Sequence, residues 1–460
     1  MSIRRIPVPP PPPPCHPETR KELRIWISKW RRGEDRTSSV FWLLGSPGTG
    51  KSAIASTVAA EAKQDGQPCA AYFFGRSNTP DNPLNVIPSL TLQFRKQIQV
   101  YEDFIQDRLS SDPQIFQKTI QTQFKELIFD PFRDTLVRKS LPHPIIIILD
   151  GIDQCPELKS NEPEGKDTQR DFIKLLNYHD GSLSEVHTAP LLWIVSSRPE
   201  WHIKQMLRPG GIGDKFFQHH VTDDEENLLQ DVRTLVQDGL GKIKQKYEDS
   251  VPKDWPSEGY IDNVAEASSP LFSVAMSALQ FIGDGERHDP VVGLETYLDF
   301  VHMASDKTIV AAPLSSFEAT DELYRGMLRD VPSEHLSNLM AVLCLRTLYT
   351  GKGLSACLEA NILGLEHSLF YAALDRMHSI IRVPPLDVAD EQEITFYHPS
   401  FLDFLKDPKR PRRFASNFKR SYSTVACSTL HWYNVLLSAD ETGVFIFFTA
   451  RTLYPKNLLP

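Results

Sequence analysis

The residues best suited to chemistry are Gly45-Ser46-Pro47-Gly48-Thr49-Gly50-Lys51-Ser52, whose spacing is G-x-x-x-x-G-K-[ST]. Glycines let a backbone wrap closely around phosphate oxygens, so that successive N–H groups point inward at the positive end of a helix dipole. Lys51 adds a point charge for the outer phosphates, and the Ser52 hydroxyl is a Mg²⁺ ligand. The plainer reading is a glycine-rich turn with no ligand. A second candidate is Asp150, which ends the run Ile145-Ile146-Ile147-Ile148-Leu149. Phosphate-bound Mg²⁺ keeps several waters and needs a carboxylate anchor of this kind. Three residues on, Asp153 is either an orienter or base for an attacking water or a turn cap. The neutral Gln154 can position a water but cannot take its proton. Arg198 follows a further apolar run, where a cation senses a γ-phosphate; the alternative is a pairing with a surface carboxylate.

These residues need strands that end beside one another. Val40–Leu44 and residues 69–74, 145–149 and 191–195 read as buried strands, separated by helical stretches at 18–31, 52–61, 86–98 and 116–137, the last broken at Pro131. Strands alternating with helices predict a parallel α/β sheet to about residue 205, with ligands at the carboxyl ends of the strands. Residues 221–248 and 271–282 read as helices. Residues 315–405 carry several more, with strands at 380–383 and 393–397 forming a hairpin, and residues 421–437 start another helix.

A chain of 460 residues needs several domains. Its net charge of −9 argues against a broad nucleic-acid-binding face. The basic run at 406–413 is a solvated linker or meets an anion. Residues 7–14 are nearly all proline, a stiff extended tail or a ligand for an aromatic groove. None of the six cysteines forms a CxxC pair or sits at metal-ligand spacing, which suits a reducing, cytoplasmic setting. No signal peptide and no membrane-spanning apolar run is expected.

In this order the features resemble the NACHT family of STAND-class signal-transduction NTPases, particularly its fungal and nephrocystin-like branch. Cys15-His16-Pro17-Glu18-Thr19-Arg20 followed by Trp30 is similar to that branch's opening segment, and Tyr72-Phe73-Phe74-Gly75-Arg76 to its second strand. Asp150-Gly151-Ile152-Asp153-Gln154-Cys155 resembles its Mg²⁺-binding motif, and Ser196-Ser197-Arg198-Pro199 its sensor. Leu271-Phe272-Ser273-Val274-Ala275 resembles the helical-domain signature, and His398-Pro399-Ser400-Phe401-Leu402-Asp403-Phe404-Leu405 the end of the winged helix.

The resemblance implies a proline-rich tail (1–17), a NACHT P-loop NTPase domain (18–205), a small helical domain (206–310), a winged-helix domain (311–408) and an incomplete helical segment (409–460). It implies ATP or ADP with Mg²⁺, GTP being an alternative. It also implies that Pro270 packs near the base and that His398 contacts the β-phosphate; otherwise His398 is a core histidine beside Phe396 and Phe401. Two departures stand out. The family usually has Glu where this chain has Gln154, which implies that hydrolysis is slow or falls to Asp153. Relatives also carry an effector domain before the core and repeats after it, so the chain reads as a truncated or simplified member.

The leading expectation is a nucleotide-gated regulatory switch that hydrolyses slowly and forms a homo-oligomer on activation. The alternatives are a binding scaffold without turnover and an AAA-like remodelling ATPase. A Ras-type GTPase is disfavoured because Asn-Lys-x-Asp is absent, and a small-molecule kinase because no substrate acid or lid arginines are evident.

Overall fold

The computed structural model describes residues 11–34, 36–75, 82–156, 167–177, 190–208, 210–222, 225–283, 289–305, 316–349, 354–377, 380–396, 399–407 and 409–438. The chain divides into two compact units, Met1–Asp231 and Val232–Pro460.

The first unit is built on five strands: β1 (Val40–Leu44), β2 (Cys69–Phe73), β3 (Ile145–Asp150), β4 (Leu191–Ser197) and β5 (Phe217–His220). They lie in the order β2-β3-β4-β1-β5, and every pairing is parallel. Side chains alternate across a strand, which is why an unbroken apolar run feeds two cores. Ile145, Ile147 and Leu149 join Trp42, Trp193, Leu90, Phe94, Phe124 and Phe172 on one face. Ile146 and Ile148 join Phe41, Leu43 and Ile194 on the other, under Leu23, Ile27 and Trp30 of the helix Lys21–Arg32 and Ile54 and Val58 of the helix Lys51–Gln64. Each fully buried isoleucine contributes roughly 1.5–3 kcal/mol of transfer free energy, so the strand that ends in Asp150 is held from both sides.

The sheet continues past residue 205 to β5, which among the described residues pairs only with β1, Phe41 opposite Phe217. Trp26 stands edge-on to Phe217 at 4.6 Å and to Phe41 at 5.5 Å, which seats this edge strand. The helical stretch expected over 116–137 is a short turn, Ile115–Gln117, followed by a continuous run from Ile120 to Arg133 whose middle, Lys125–Phe129, is a π-helical turn. Pro131 does not end it. It lies just past the π turn, where its missing N–H leaves Leu127 O to accept from the Tyr101 hydroxyl at 2.5 Å instead. The chain turns at Asp134, whose carboxylate caps Thr135–Ser140 by accepting from Leu136 N at 2.8 Å and Val137 N at 3.3 Å. An additional helix, Gln99–Ser111, lies in a stretch left unassigned from sequence.

The described part of the proline run is not a free tail. Pro12 is buried, its carbonyl accepts from Ser56 Oγ at 2.7 Å, and Cys15 N donates to Thr57 Oγ1 at 2.9 Å. Residues 11–15 therefore lie along the helix Lys51–Gln64.

The second unit is helical around one core that includes Val236, Leu279, Leu294, Tyr324, Leu343, Phe370, Phe401 and Phe414. Among the described residues its strands are the short antiparallel pair β6 (Ile381–Arg382) and β7 (Thr395–Phe396). Within the basic run, Arg410 is bound by Asp321, with Nε 3.0 Å from both carboxylate oxygens and Nη2 at 2.6 Å from Oδ1. That arginine fastens the segment to the helix Ser316–Asp330. No helix among the described residues is long and apolar enough to cross a membrane.

Candidate functional site

β1 delivers the chain to Gly45, whose N–H donates to Ser197 O at 3.3 Å. The loop then turns through Gly48 at φ 82° and Gly50 at φ 87°, conformations that L side chains rarely adopt. Gly45 is needed for a different reason: a Cβ there would sit 2.5 Å from Val221 Cγ2. Thr49 Oγ1 donates to Ser46 O at 2.9 Å and closes the turn. The helix Lys51–Gln64 starts with no acidic residue in its first turn and no side-chain cap on Gly50. Its positive end is left for an anion. Lys51 is buried, and its ammonium donates to Gly45 O and Ser46 O, both at 2.8 Å. Burial pulls its pKa down from 10.5 to about 8, against Asp153 and Asp150, which push it up.

Because β1, β4 and β3 are neighbours, their carboxyl ends converge. Asp150 ends β3 at 2% exposure. Ser196 Oγ donates to Asp150 Oδ1 at 2.5 Å and accepts from Gly151 N at 2.9 Å, so one hydroxyl aims the carboxylate and pins the turn that follows it. Trp42 Nε1 donates to Ser197 Oγ at 2.9 Å and locks β4 to β1. Asp153 accepts from the Arg198 backbone N at 3.0 Å and pairs with Arg198 Nε at 3.2 Å. Gln169 Nε2 donates to Asp153 O at 3.0 Å and to Cys155 O at 2.9 Å, and His202 meets Gln169 Oε1 at 2.7 Å, so the segment carrying Asp153 and Gln154 is tied down. Gln154 is exposed and leans on Gly75, where a Cβ would lie 2.1 Å from Gln154 Oε1.

Among the described residues there is no group of three or more His, Cys, Asp or Glu that could hold a metal. One buried carboxylate, Asp150, and one hydroxyl in the first turn, Ser52, suit a Mg²⁺ that is shared with phosphate oxygens and keeps its waters.

The structure thus assembles the loop residues Gly45, Ser46, Pro47, Gly48, Thr49, Gly50, Lys51 and Ser52 at one edge of the sheet, with Asp150, Asp153, Gln154 and Arg198 at neighbouring strand ends. Pro270 lies in the second unit, half-buried in the turn between the helices Glu258–Ser268 and Phe272–Ile282. His398 lies outside the described residues. Sequence reasoning gave no role to Ser196, to Trp42 or to Arg20, whose guanidinium reaches Thr49 O at 2.8 Å. The only signal for Ser196 was its place in the strand before Arg198.

No curated protein matches the chain. Among solved structures, it is similar to Cdc6p from Pyrobaculum aerophilum at 12% identity and TM-score 0.36, covering 86% of this chain and 92% of that one. Drosophila ORC bound to DNA follows at 11% identity and TM-score 0.35, with 83% and 93% covered. AMPPCP-bound DnaA from Aquifex aeolicus gives 11% identity and TM-score 0.33, with 79% and 86% covered. Overlaps this loose say nothing about what the present chain binds. Residues 24–198, fewer than half of the chain, match the family described as Nephrocystin 3, N-terminal. The match runs through β1 to β4 and ends on Arg198, and with the parallel sheet and the glycine-rich loop it makes the first unit an α/β domain of the P-loop NTPase fold.

Proposed function

We propose that the first unit binds a nucleoside di- or triphosphate with Mg²⁺, ATP and ADP before GTP, and acts as a slowly hydrolysing regulatory switch. The observation that carries this reading is Lys51. A buried ammonium rests on the loop's own carbonyls, at a helix N-terminus that no acid neutralises. A phosphate chain is the ligand that satisfies both.

In this reading the loop amides and Lys51 hold the phosphates, and Ser52 and Asp150 hold the Mg²⁺, which would neutralise charge on them. Arg198 senses the terminal phosphate once it leaves Asp153. Gln154 positions a water without taking its proton, and Asp153 is the remaining base. The order of the motifs, and the match to a nephrocystin family over residues 24–198, favour a NACHT-type protein. Its second unit would then hold a helical domain with Pro270 near the base and a winged helix whose His398 meets the β-phosphate. Such a chain would be cytoplasmic, closed with ADP, and would form a homo-oligomer on exchange for ATP.

Mass spectrometry of nucleotide released from the purified chain tests this, together with a steady-state hydrolysis rate. Near-stoichiometric ADP and slow turnover are expected. Several turnovers per second would move the reading to a remodelling ATPase, and retained nucleotide with no turnover to a scaffold. Failure to take up any nucleotide with Mg²⁺ present would end it.

A further inference from the structure

Just before the span that matches the nephrocystin family, Arg20 stands at φ 55°, a left-handed conformation that a non-glycine residue adopts only at an energetic cost. Distant parts of the chain receive what it offers from there. Its backbone N donates to Asp231 Oδ2 at 2.9 Å. Its guanidinium donates through Nη1 to Val221 O and through Nη2 to Thr49 O, each at 2.8 Å. Thr49 belongs to the phosphate loop. Val221 follows β5, donates its N–H to Leu44 O at 2.9 Å, and presses Cγ2 on the loop's first glycine. One planar fork therefore staples the loop to its neighbouring wall.

The staple falls where the loop's own sterics give little direction. Gly50, next after Thr49, has no Cβ and sits at φ 87°, so sterics alone do not fix which way the Thr49–Gly50 peptide faces. In a trans peptide C=O and N–H point opposite ways. Holding the Thr49 carbonyl outward therefore turns the Gly50 N–H toward the other side, and the guanidinium adds positive charge beside Lys51.

We propose that Arg20 is a positioning residue for the anion site: it fixes the direction of the Gly50 amide before any ligand arrives, and so preorganises the loop for a nucleotide's phosphates. This rests on the nucleotide-binding reading above. Lysine cannot replace it, because a point charge reaches one carbonyl where the fork reaches both.

The test uses the full chain as wild type, Arg20→Ala, Arg20→Lys and Arg20→Gly. The readouts are calorimetric affinity for Mg·ADP, amide hydrogen exchange of residues 46–51 without nucleotide, and thermal unfolding. Loss of the charge-assisted hydrogen bonds should weaken binding roughly 10- to 100-fold in the Ala and Gly variants, with Lys between them and wild type. Loop amides should exchange faster in all three. Arg20→Gly separates positioning from folding, because glycine accepts φ 55° freely. It should unfold at a higher temperature than Arg20→Ala yet bind as weakly. If wild type binds and every variant binds within about twofold of it, with unchanged loop exchange, Arg20 positions nothing while the nucleotide reading stands. Affinity that simply follows unfolding temperature, recovered in Arg20→Gly, would also overturn the proposal. Arg20→Lys decides the matter should the other variants fail to fold. A wild-type chain that takes up no Mg·ADP removes both readings.

Discussion

Nucleotide affinity should titrate with Lys51. Burial holds the pKa of its ammonium at about 8 rather than 10.5. A bound polyphosphate adds negative charge at that ammonium, stabilises the protonated form and raises the value again. Between the free and bound values the complex carries one proton more than the free protein. Affinity is then flat below about pH 8 and falls tenfold per pH unit above it, ~1.4 kcal/mol each, until the complex deprotonates too. Calorimetry with ADP from pH 7 to 9.5, in buffers of different ionisation enthalpy, should show roughly tenfold weaker binding at pH 9 and proton uptake on binding. Lys51→Arg should bind more weakly with no such slope, since a guanidinium does not titrate there. Constant wild-type affinity to pH 9.5, or proton release, would refute the argument. The same displacement acts on stability. The unfolded chain binds more protons than the folded one between about pH 8 and 10.5, so stability rises with pH across that window. At pH 7 the displacement from 10.5 to about 8 is worth ~3 kcal/mol against the fold. Lys51→Met removes that cost but frees the Gly45 and Ser46 carbonyls, so the nucleotide-free chain should gain about 1–2 kcal/mol in urea unfolding while losing nucleotide.

Ser196→Ala removes the hydroxyl that donates to Asp150 and accepts from Gly151; it should cost about 1–3 kcal/mol in urea unfolding and weaken the Mg²⁺ dependence of ADP binding. Gln154→Glu supplies a carboxylate where the proposed mechanism puts the attacking water, and hydrolysis should rise at least ~10-fold at unchanged Kd, since general bases are worth roughly 10²–10⁴; an unchanged rate would remove Gln154 from the proposed account of slow turnover. In the second unit, Arg346 Nη1 donates to the fully buried Glu359 at 2.8 Å, and burial pushes that carboxyl from 4.5 up to about 8 even so. Arg346→Met should cost about 1–3 kcal/mol in urea unfolding, for the buried acceptors it leaves without a donor. The cost should change by less than about 1 kcal/mol between pH 8 and pH 5, because a carboxyl raised to about 8 beside the guanidinium is largely protonated over that range and more so without it, and Arg346→Met with Glu359→Leu should recover most of it.

How much of this was legible in the sequence follows from where each signal resides. β1, β3 and β4 could be read because strands buried on both faces are apolar throughout, as in Ile145-Ile146-Ile147-Ile148-Leu149. β5 could not: Phe217-Gln218-His219-His220 is half-buried at the sheet edge and is a strand only because β1 and Trp26 lie beside it. The helix Gln99–Ser111 buries Tyr101 and Ile105 and packs Val100, Phe104 and Leu109 on the same core, a helical spacing that the sequence carries openly. The phosphate loop was legible because its spacing is its function. Asp150 and Arg198 could be placed as strand-end residues, but the pairing of Arg198 with Asp153, the hydroxyl of Ser196 on Asp150 and the reach of Arg20 to Val221 all depend on strand order. No local pattern encodes which strand ends become neighbours.

That pairing bears on how a switch could distinguish its ligands. A ligand shifts an equilibrium only by its differential interaction with the two states. Arg198 is engaged by Asp153 through both its backbone N and its Nε. A triphosphate's terminal group would have to compete with that carboxylate for the guanidinium, whereas a diphosphate offers nothing at the γ position and leaves the pair intact. The Asp153–Arg198 contact therefore opposes ATP and is indifferent to ADP. Asp153→Asn should shift the ratio of ATP to ADP affinity toward ATP, by roughly 10-fold or more if the broken bond is worth the ~1.5–3 kcal/mol of a charged hydrogen bond. Because Asp153 also repels any phosphate, both affinities should rise in the variant, and only their ratio reports the competition. A ratio equal to that of wild type would mean that Arg198 never leaves Asp153, and discrimination between the two nucleotides would have to arise elsewhere in the chain.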